Sequence, residues 1–390
     1  MSLVKKAWAS VQHWGRHGFR WLMYRVFAVL PIQKNKVVFV SAAMMARNPK
    51  YIFDEFSEQE RQKLDLVCLS SSPKGQFPGA RNVDAERLQA IREMVTAKAW
   101  VSDSRQMSYV HKRKQQRYIM TWHGAMGAKK IEKDIGETLP KAYIQCAVND
   151  SKMCDLMVAE TDWVYRIMKR AFWYDGEILQ AEFVNKAMLP PEENLKKVKR
   201  VLGIREEQKI ILYVPTFRMD HSTDCYNIEY DRVLREIQEL SGEEYVFIVR
   251  LHENSAEFAK TIAYSQMVIN GTYYPSVDEL ISACDILISD YSGCVFAGYK
   301  EYKKVILYAP DLEEYMQKER GFTFDFRKDL PSPIAKTNEE LIDAIVKYDT
   351  MKYTDQMKKL NELVGYFGGD AAKSCKERIM TWIEKGGIKQ

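Results

Sequence analysis

Short apolar runs alternate with helix-length stretches along almost the whole chain, and the alternation breaks once and then restarts. In the first series Val37–Ser41, Leu64–Leu69, Ala99–Ser102, Tyr118–Trp122, Tyr143–Val148 and Ile178–Phe183 read as strands. Helical patterns fall between several of them, over Ala85–Lys98 and Ser151–Arg170. Strands separated by helices predict a parallel, doubly wound sheet. Pro190-Pro191-Glu192-Glu193 and the charged run 196–200 interrupt the pattern, so 188–208 reads as the region between domains. The series resumes with strands at Lys209–Val214, Tyr245–Leu251, Met267–Asn270, Ile286–Ser289, Val305–Tyr308 and Phe322–Phe326. Helices are expected at Asp231–Leu240, Val277–Cys284 and Asn338–Lys347, and C-terminal helices at Thr354–Phe367 and Ala371–Lys385 can cover either domain. The 390 residues suit two domains of about 100–200 residues each. The expected division is 1–30, 31–190, 191–370 and a C-terminal helix at 371–390 that can cross back.

Two of these runs end in histidine. Tyr118-Ile119-Met120-Thr121-Trp122-His123-Gly124 delivers an imidazole to the rim of a sheet, where α/β proteins bind ligands. Lys129 and Lys130 follow, placed to hold an anion beside it. Tyr245–Leu251 ends likewise at His252, one of only six histidines in the chain. Two such strand ends suggest two sheets facing one cleft. His252 alone reads equally well as a structural histidine, whereas Gly124 and Lys129-Lys130 favour an anion site at His123, a structural role being its alternative.

Two turns add phosphate chemistry. Ile286-Leu287-Ile288-Ser289-Asp290-Tyr291-Ser292-Gly293 is a strand, a sharp turn and the start of a helix over Cys294–Lys300. Free backbone N–H groups and the Ser292 hydroxyl there suit phosphate oxygens; an ordinary Asp/Ser helix cap is the alternative. Tyr213-Val214-Pro215-Thr216-Phe217-Arg218 runs a strand into a basic turn, where Thr216 can donate a hydrogen bond and Arg218 can pair bidentately with phosphate. With no P-loop, zinc spacing or nucleophile elbow, the set points to phosphoryl or glycosyl transfer from a nucleotide-activated donor.

The net charge of +5 is unevenly spread. Residues 1–53 carry nine Lys/Arg and no acid, leaving 49 basic against 53 acidic residues in the remainder. At 100° per residue, Val4, Trp8, Val11, Gly15, Phe19, Leu22, Val26 and Val29 share one helical face. Lys5, Lys6, His13, Arg16, His17 and Arg20 lie largely opposite, with Trp14 and Trp21 near a boundary. The pattern suits a helix lying in the membrane interface, with Trp8, Trp14, Phe19, Arg20 and Trp21 as contacts to an anionic surface. The alternative is a helix packed on the protein's own domain. No run of about 20 apolar residues spans a bilayer, and charges interrupt any secretory core. Seven cysteines without a C-x-x-C pair suggest a reduced, cytosolic protein without a disulfide framework or zinc site. Basic excess confined to this segment argues against nucleic-acid binding.

At this point the chain resembles a known family. Thr121-Trp122-His123-Gly124 with Lys129-Lys130, Tyr213–Arg218, Arg250-Leu251-His252, Ser289-Asp290-Tyr291-Ser292, Tyr308–Tyr315 and Gly321–Phe326 occur in the order found in the CDP-glycerol glycerophosphotransferases of wall teichoic acid synthesis. The resemblance covers roughly residues 35–385. It implies a GT-B-like fold of two Rossmann-like domains facing a cleft, plus the N-terminal amphipathic helix. The first domain would be acceptor-side and the second would take the nucleotide donor. It implies a peripheral location at the cytoplasmic face of a bacterial membrane. It also implies transfer of glycerol phosphate, or ribitol phosphate, from CDP-glycerol or CDP-ribitol to a lipid-linked, undecaprenyl-type acceptor, with release of CMP.

By the same resemblance, His123 is the general base and His252 supports the pyrophosphate. Thr216, Arg218, Ser289, Asp290, Ser292 and Gly293 would surround the donor phosphates. Asp311 and Glu314 would meet the glycerol or ribose hydroxyls, and Gly124, Lys129 and Lys130 the acceptor or a phosphate. No metal ligands are assigned, although a diphosphate donor can bring a divalent ion such as Mg2+. The chain departs from the family pattern at Ala125-Met126-Gly127-Ala128, where Thr-Pro-Leu is usual. It departs again at Ala181-Glu182-Phe183-Val184-Asn185-Lys186, and at Gly293 in place of a second serine. The first two departures fall in the half expected to take the acceptor. A sugar-nucleotide glycosyltransferase of the same architecture, or a non-catalytic membrane-bound homologue, are the competing readings.

Overall fold

The computed structural model describes residues 17–40, 48–70, 77–123, 128–218, 224–318 and 321–385. They fall into two compact units. The first comprises Met1–Ala125, Ile131–Asn185 and Tyr366–Gln390, the second Met126–Lys130 and Lys186–Gly365.

The first unit is built on strands β1 (Gln33–Val40), β2 (Asp65–Ser70), β3 (Arg81–Asp84), β4 (Ala97–Ser102), β5 (Arg117–Met120), β6 (Leu156–Ala159) and β7 (Glu177–Gln180). All pairs are parallel, in the order β3-β2-β1-β4-β5-β6-β7. Side chains alternate between two cores, as the period of a strand requires. Val38, Trp100, Tyr118 and Met120 enter one; Val37, Phe39, Val101 and Ile119 enter the other. Burial on both faces explains why these strands read as unbroken apolar runs. Helix Ala371–Lys385 contributes Ala371, Ala372, Cys375 and Ile379 to the second of these cores. Helix Asp162–Ala171 starts where the Thr161 side chain accepts from the Val164 N–H, and Lys169 and Arg170 close its last turn.

The second unit holds β8 (Lys209–Val214), β9 (Tyr245–Val249), β10 (Val268–Asn270), β11 (Ile286–Ser289), β12 (Lys304–Tyr308) and β13 (Ile334–Ala335). They too are parallel, in the order β10-β9-β8-β11-β12-β13. Helix Tyr230–Ser241 buries Tyr230, Val233, Leu234 and Ile237, one face of the helical repeat, and stops at Gly242 with φ 71°. In each unit the strand order reverses once, between β1 and β4 and between β8 and β11. Ligands of open α/β sheets bind beyond the strand C-termini at such a reversal.

Several expected elements differ. Tyr143–Val148 is not a strand but part of helix Lys141–Met153, whose buried residues Ala147, Asp150 and Ser151 follow helical spacing. The helix expected over Ser151–Arg170 is interrupted by β6, since Leu156–Ala159 is buried throughout. Phe322–Phe326 is not a strand. Phe322 makes one isolated bridge, and Phe322, Phe324 and Phe326 pack on one another in irregular chain. Strands β3, β6 and β13 were not anticipated.

Residues 17–27 are helical. Tyr24 is buried in the first unit's core, with Met23 and Phe27 packed against it. Phe19 (51% exposed), Leu22 (52%) and Val26 (50%) of the anticipated apolar face point to solvent with Trp21. Arg20, expected at the membrane, instead faces the protein. Its Nη1 donates to the Tyr109 hydroxyl at 3.2 Å and its Nη2 pairs with Glu86 Oε2 at 3.2 Å. Trp8 and Trp14 lie outside the described residues. Among the described residues no helix is long and apolar enough to cross a membrane.

Candidate active site

Beyond β5 the chain turns through Thr121 and Trp122 to His123. The His123 Nδ1 lies 2.7 Å from the carbonyl oxygen of Asp103, just past the end of β4. A carbonyl only accepts, so Nδ1 carries the proton and Nε2 is the ring's basic nitrogen. The imidazole is exposed and stacks on Trp122 at 4.5 Å and 27°. Trp122 has φ 56°, in the left-handed region that bulky residues avoid. Such a conformation costs about 1–3 kcal/mol and persists only where neighbours over-determine it.

Those neighbours are visible. Phe172 meets the indole edge-on at 4.9 Å, and the Arg105 guanidinium lies 6.0 Å from it. Thr121 Oγ1 donates to the Trp122 carbonyl at 3.2 Å. The Arg105 side chain is 7% exposed and is bonded to Asp150 at 3.0 Å, Ser151 at 2.7 Å and Glu132 at 3.2 Å. Burial works against the charge of Arg105, but Glu132 and Asp150 outweigh it and raise its pKa above the ordinary value. A small recess beside the turn is lined by Asn48, Thr121, Trp122, Val158, Glu160, Val164 and Met168.

In the second unit, β8, β11 and β12 bring together Arg218, Asp290 and Asp311. Arg218, expected at the donor phosphates, is only 5% exposed. Its Nε donates to Asp311 at 2.6 Å, its Nη1 to the Thr216 carbonyl at 2.7 Å and its Nη2 to Asp290 at 2.8 Å. Burial opposes its charge, and Asp290 and Asp311 more than compensate, so its pKa is raised. Asp290 is fully buried, and its Oδ1 also accepts the N–H groups of Thr216 at 2.8 Å and Tyr291 at 2.6 Å. Ser289 donates to the Val214 carbonyl at 2.5 Å. Ser289, Asp290 and Arg218 thereby knit β8 to β11. Asp311, expected at a sugar or glycerol hydroxyl, is held by Arg218 and by the Tyr291 hydroxyl at 2.9 Å.

Other residues of this edge stay near the surface. His252 is exposed, its ring 6.3 Å from Phe217; Gly293 and Glu314 are exposed as well. Ser292 is part-buried, and its Oγ accepts the Cys294 N–H at 3.2 Å in the turn before helix Cys294–Lys300, whose N-cap is Gly293. Thr216 Oγ1 is buried without a hydrogen-bond partner among the described residues. Tyr291 stacks on Tyr315 at 3.6 Å, with the Arg218 guanidinium 4.9 and 5.1 Å from the two rings.

Lys129 and Lys130, expected beside His123, bond to residues of the second unit. Lys129 pairs with Phe322 in an antiparallel bridge, the Lys130 N–H donates to the Gly321 carbonyl at 2.8 Å, and Lys129 Nζ donates to the Tyr315 hydroxyl at 2.5 Å. Main-chain bonds between 128–130 and 321–323 carry them there. Gly124 lies outside the described residues.

Asn48, Asp103, Arg105, Tyr291 and Tyr315 were not anticipated at these sites. One signal was available: Ser102-Asp103 and Ser289-Asp290 each close the strand just past the reversal of their sheet. Among the described residues no group of three or more His, Cys, Asp or Glu could hold a metal ion.

Comparison with known proteins gives one consistent picture. Over 380 residues the chain is 28% identical to the teichoic acid poly(glycerol phosphate) polymerase of Bacillus spizizenii, covering 92% of this chain and 95% of that protein. It is 26% identical to the teichoic acid glycerol-phosphate transferase of Staphylococcus aureus, covering 84% of this chain and 87% of that one. A solved structure of the wall teichoic acid polymerase TagF superposes with a TM-score of 0.80 at 21% identity, over 99% of each chain, a likeness of fold. Residues 22–385 match the CDP-Glycerol:Poly(glycerophosphate) glycerophosphotransferases, and the chain belongs to that family.

Proposed function

We propose that this protein transfers a polyol phosphate, glycerol phosphate foremost, from a CDP-activated donor to a hydroxyl of a lipid-linked acceptor. The observation that carries this reading is the orientation of His123. With Nδ1 donating to the Asp103 carbonyl at 2.7 Å, Nε2 can accept a proton from an acceptor hydroxyl. The acceptor oxygen attacks the β-phosphorus, the bond from that phosphorus to the bridging oxygen breaks, and CMP leaves with the bridging oxygen. The hydroxyl proton passes to Nε2. A positioned base supplies about 10²–10⁴-fold.

The strand order of each unit supports a GT-B-like arrangement, with the first unit taking the acceptor and the second the nucleotide. At the second unit's strand ends, Thr216, Ser292, Gly293 and His252 would face the diphosphate, with Lys129 and Lys130 supplying positive charge. Glu314, exposed in the helix that follows β12, would meet a glycerol or ribose hydroxyl. Arg218 acts indirectly, by fixing Asp290, Asp311 and the tyrosine stack. Asp290 and Asp311 both pair with Arg218, so their carboxylates are committed to its guanidinium and not to a resident divalent ion.

The exposed stripe of Phe19, Trp21, Leu22 and Val26 supports contact with the cytoplasmic face of an anionic membrane, where a lipid-linked acceptor resides. The test is product analysis with CDP-glycerol, CDP-ribitol and a sugar nucleotide, each with a lipid-linked acceptor. Acceptor-dependent CMP from a CDP-polyol is expected. Release of a nucleoside diphosphate from the sugar nucleotide alone would replace this reading with glycosyl transfer.

A further inference from the structure

The turn that presents His123 is held by a residue 74 positions earlier in the chain. Asn48 opens helix Asn48–Asp54, and its Nδ2 donates to the carbonyl of Trp122 at 3.1 Å and of Thr121 at 3.4 Å. Both partners are carbonyls, so the amide must present its NH2 side, and its orientation is fixed by chemistry. Its base is rigid. Pro49 restrains the backbone at the helix start. Ile52 and Phe53 of the same helix are fully buried, the Phe53 ring 5.6 Å from Phe39 of β1.

This matters because the Trp122 peptide has every local reason to relax. A tryptophan at φ 56° is strained, and the residue after it is the one whose Nδ1 must reach the Asp103 carbonyl. If the Trp122–His123 peptide rotated toward an ordinary conformation, the Trp122 carbonyl would leave Asn48 and the imidazole would leave Asp103. Thr121 Oγ1 also donates to the Trp122 carbonyl, from the residue next to it, whose N–H is tied to the Ser102 carbonyl at the end of β4 at 2.8 Å. Asn48 is the bond from a separate, anchored element.

We propose that Asn48 is a positioning residue for His123, acting through the strained Trp122 peptide so that Nε2 stays the free, basic nitrogen. The consequence for catalysis rests on the reading of His123 as the base; the structural coupling does not. Asn48→Asp is nearly isosteric but cannot donate, and it sets an acceptor against two carbonyls. Asn48→Ala removes the bond without repulsion and serves if the aspartate variant does not fold.

Two readouts are taken on each variant: steady-state CMP release, and nitrogen-15 NMR of histidine-labelled protein with the His123 signals assigned from His123→Gln. A misplacement on the order of 1 Å can cost about 10²-fold. The expected result is therefore a fall in kcat of about that size, an unchanged donor KM, and a shifted Nδ1–H resonance for His123. Unchanged His123 signals in a folded variant would overturn the proposal, whatever happens to kcat. Shifted signals with full kcat would sustain the positioning role and instead overturn His123 as the base.

Discussion

Replacing Arg218 with methionine separates two accounts of the donor-side strand ends. The guanidinium lies between Asp290, whose side chain is fully buried, and Asp311, which is 24% exposed. Methionine keeps much of the length and apolar contact but leaves Asp290 charged in the interior, with only the amides of Thr216 and Tyr291 as partners. Removing one member of a buried ion pair costs about 3–5 kcal/mol, because the other charge is stranded. In a domain of this size each kcal/mol lowers the melting midpoint by about 2–4 °C, so the second unit should melt about 6–20 °C lower. Adding Asp290→Asn removes the stranded charge, and the pair should be non-additive by about 0.5–3 kcal/mol. Differential scanning calorimetry on both variants reads this directly. An unchanged midpoint accompanied by a raised KM for the donor would refute the reasoning and return Arg218 to the phosphates.

Two further outcomes follow from the first unit. Glu93 is bonded to Lys36 at 2.7 Å and to Arg81 at 3.0 Å. Burial pushes its carboxyl up, but Arg81 and Lys36 outweigh it and hold the pKa below the ordinary 4.5. A depressed carboxylate contributes stability that is present above its unfolded pKa and is lost as pH falls through the folded one. Thermal midpoints should therefore drop as pH is lowered from about 4.5, and Glu93→Gln should flatten that acid limb; an unaltered limb would contradict it. Leu22→Glu with Val26→Glu changes two half-exposed positions, so thermal stability should stay within about 0.5 kcal/mol. Co-sedimentation with anionic vesicles should fall, and undiminished co-sedimentation would remove the membrane-contact reading.

The strands that carry the sites were legible because burial on both faces leaves continuous apolar runs that end in polar turns. β8, β9, β11 and β12 all appear within a residue or two of their expected limits. Tyr143–Val148 misled because aromatic and β-branched residues favour strands, while the helical spacing of Ala147, Asp150 and Ser151 shows only over a longer window. Leu156–Ala159 is four residues long, with only Cys154-Asp155 to separate it from the preceding helix, so it merged into a helical reading.

His123 and His252 were readable as strand-end residues. The Asp103 carbonyl was not, since backbone acceptors have no sequence signature. Arg218 illustrates the same limit. Its turn resembles an anion site, but Asp290 and Asp311 lie 72 and 93 positions away, and only folding shows that they neutralise it. The lysines after His123 were placed by sequence proximity, whereas main-chain bonds to 321–323 decide where they go.

The most direct test of the central claim is acceptor-dependent CMP release from CDP-glycerol by the intact protein and by His123→Ala, with vesicle-borne lipid-linked acceptor. Loss of a positioned base predicts a fall in kcat of about 10²–10⁴-fold while the variant keeps its fold and its donor binding. Full CMP release by a folded His123→Ala protein would contradict the account, because no other step assigns that proton.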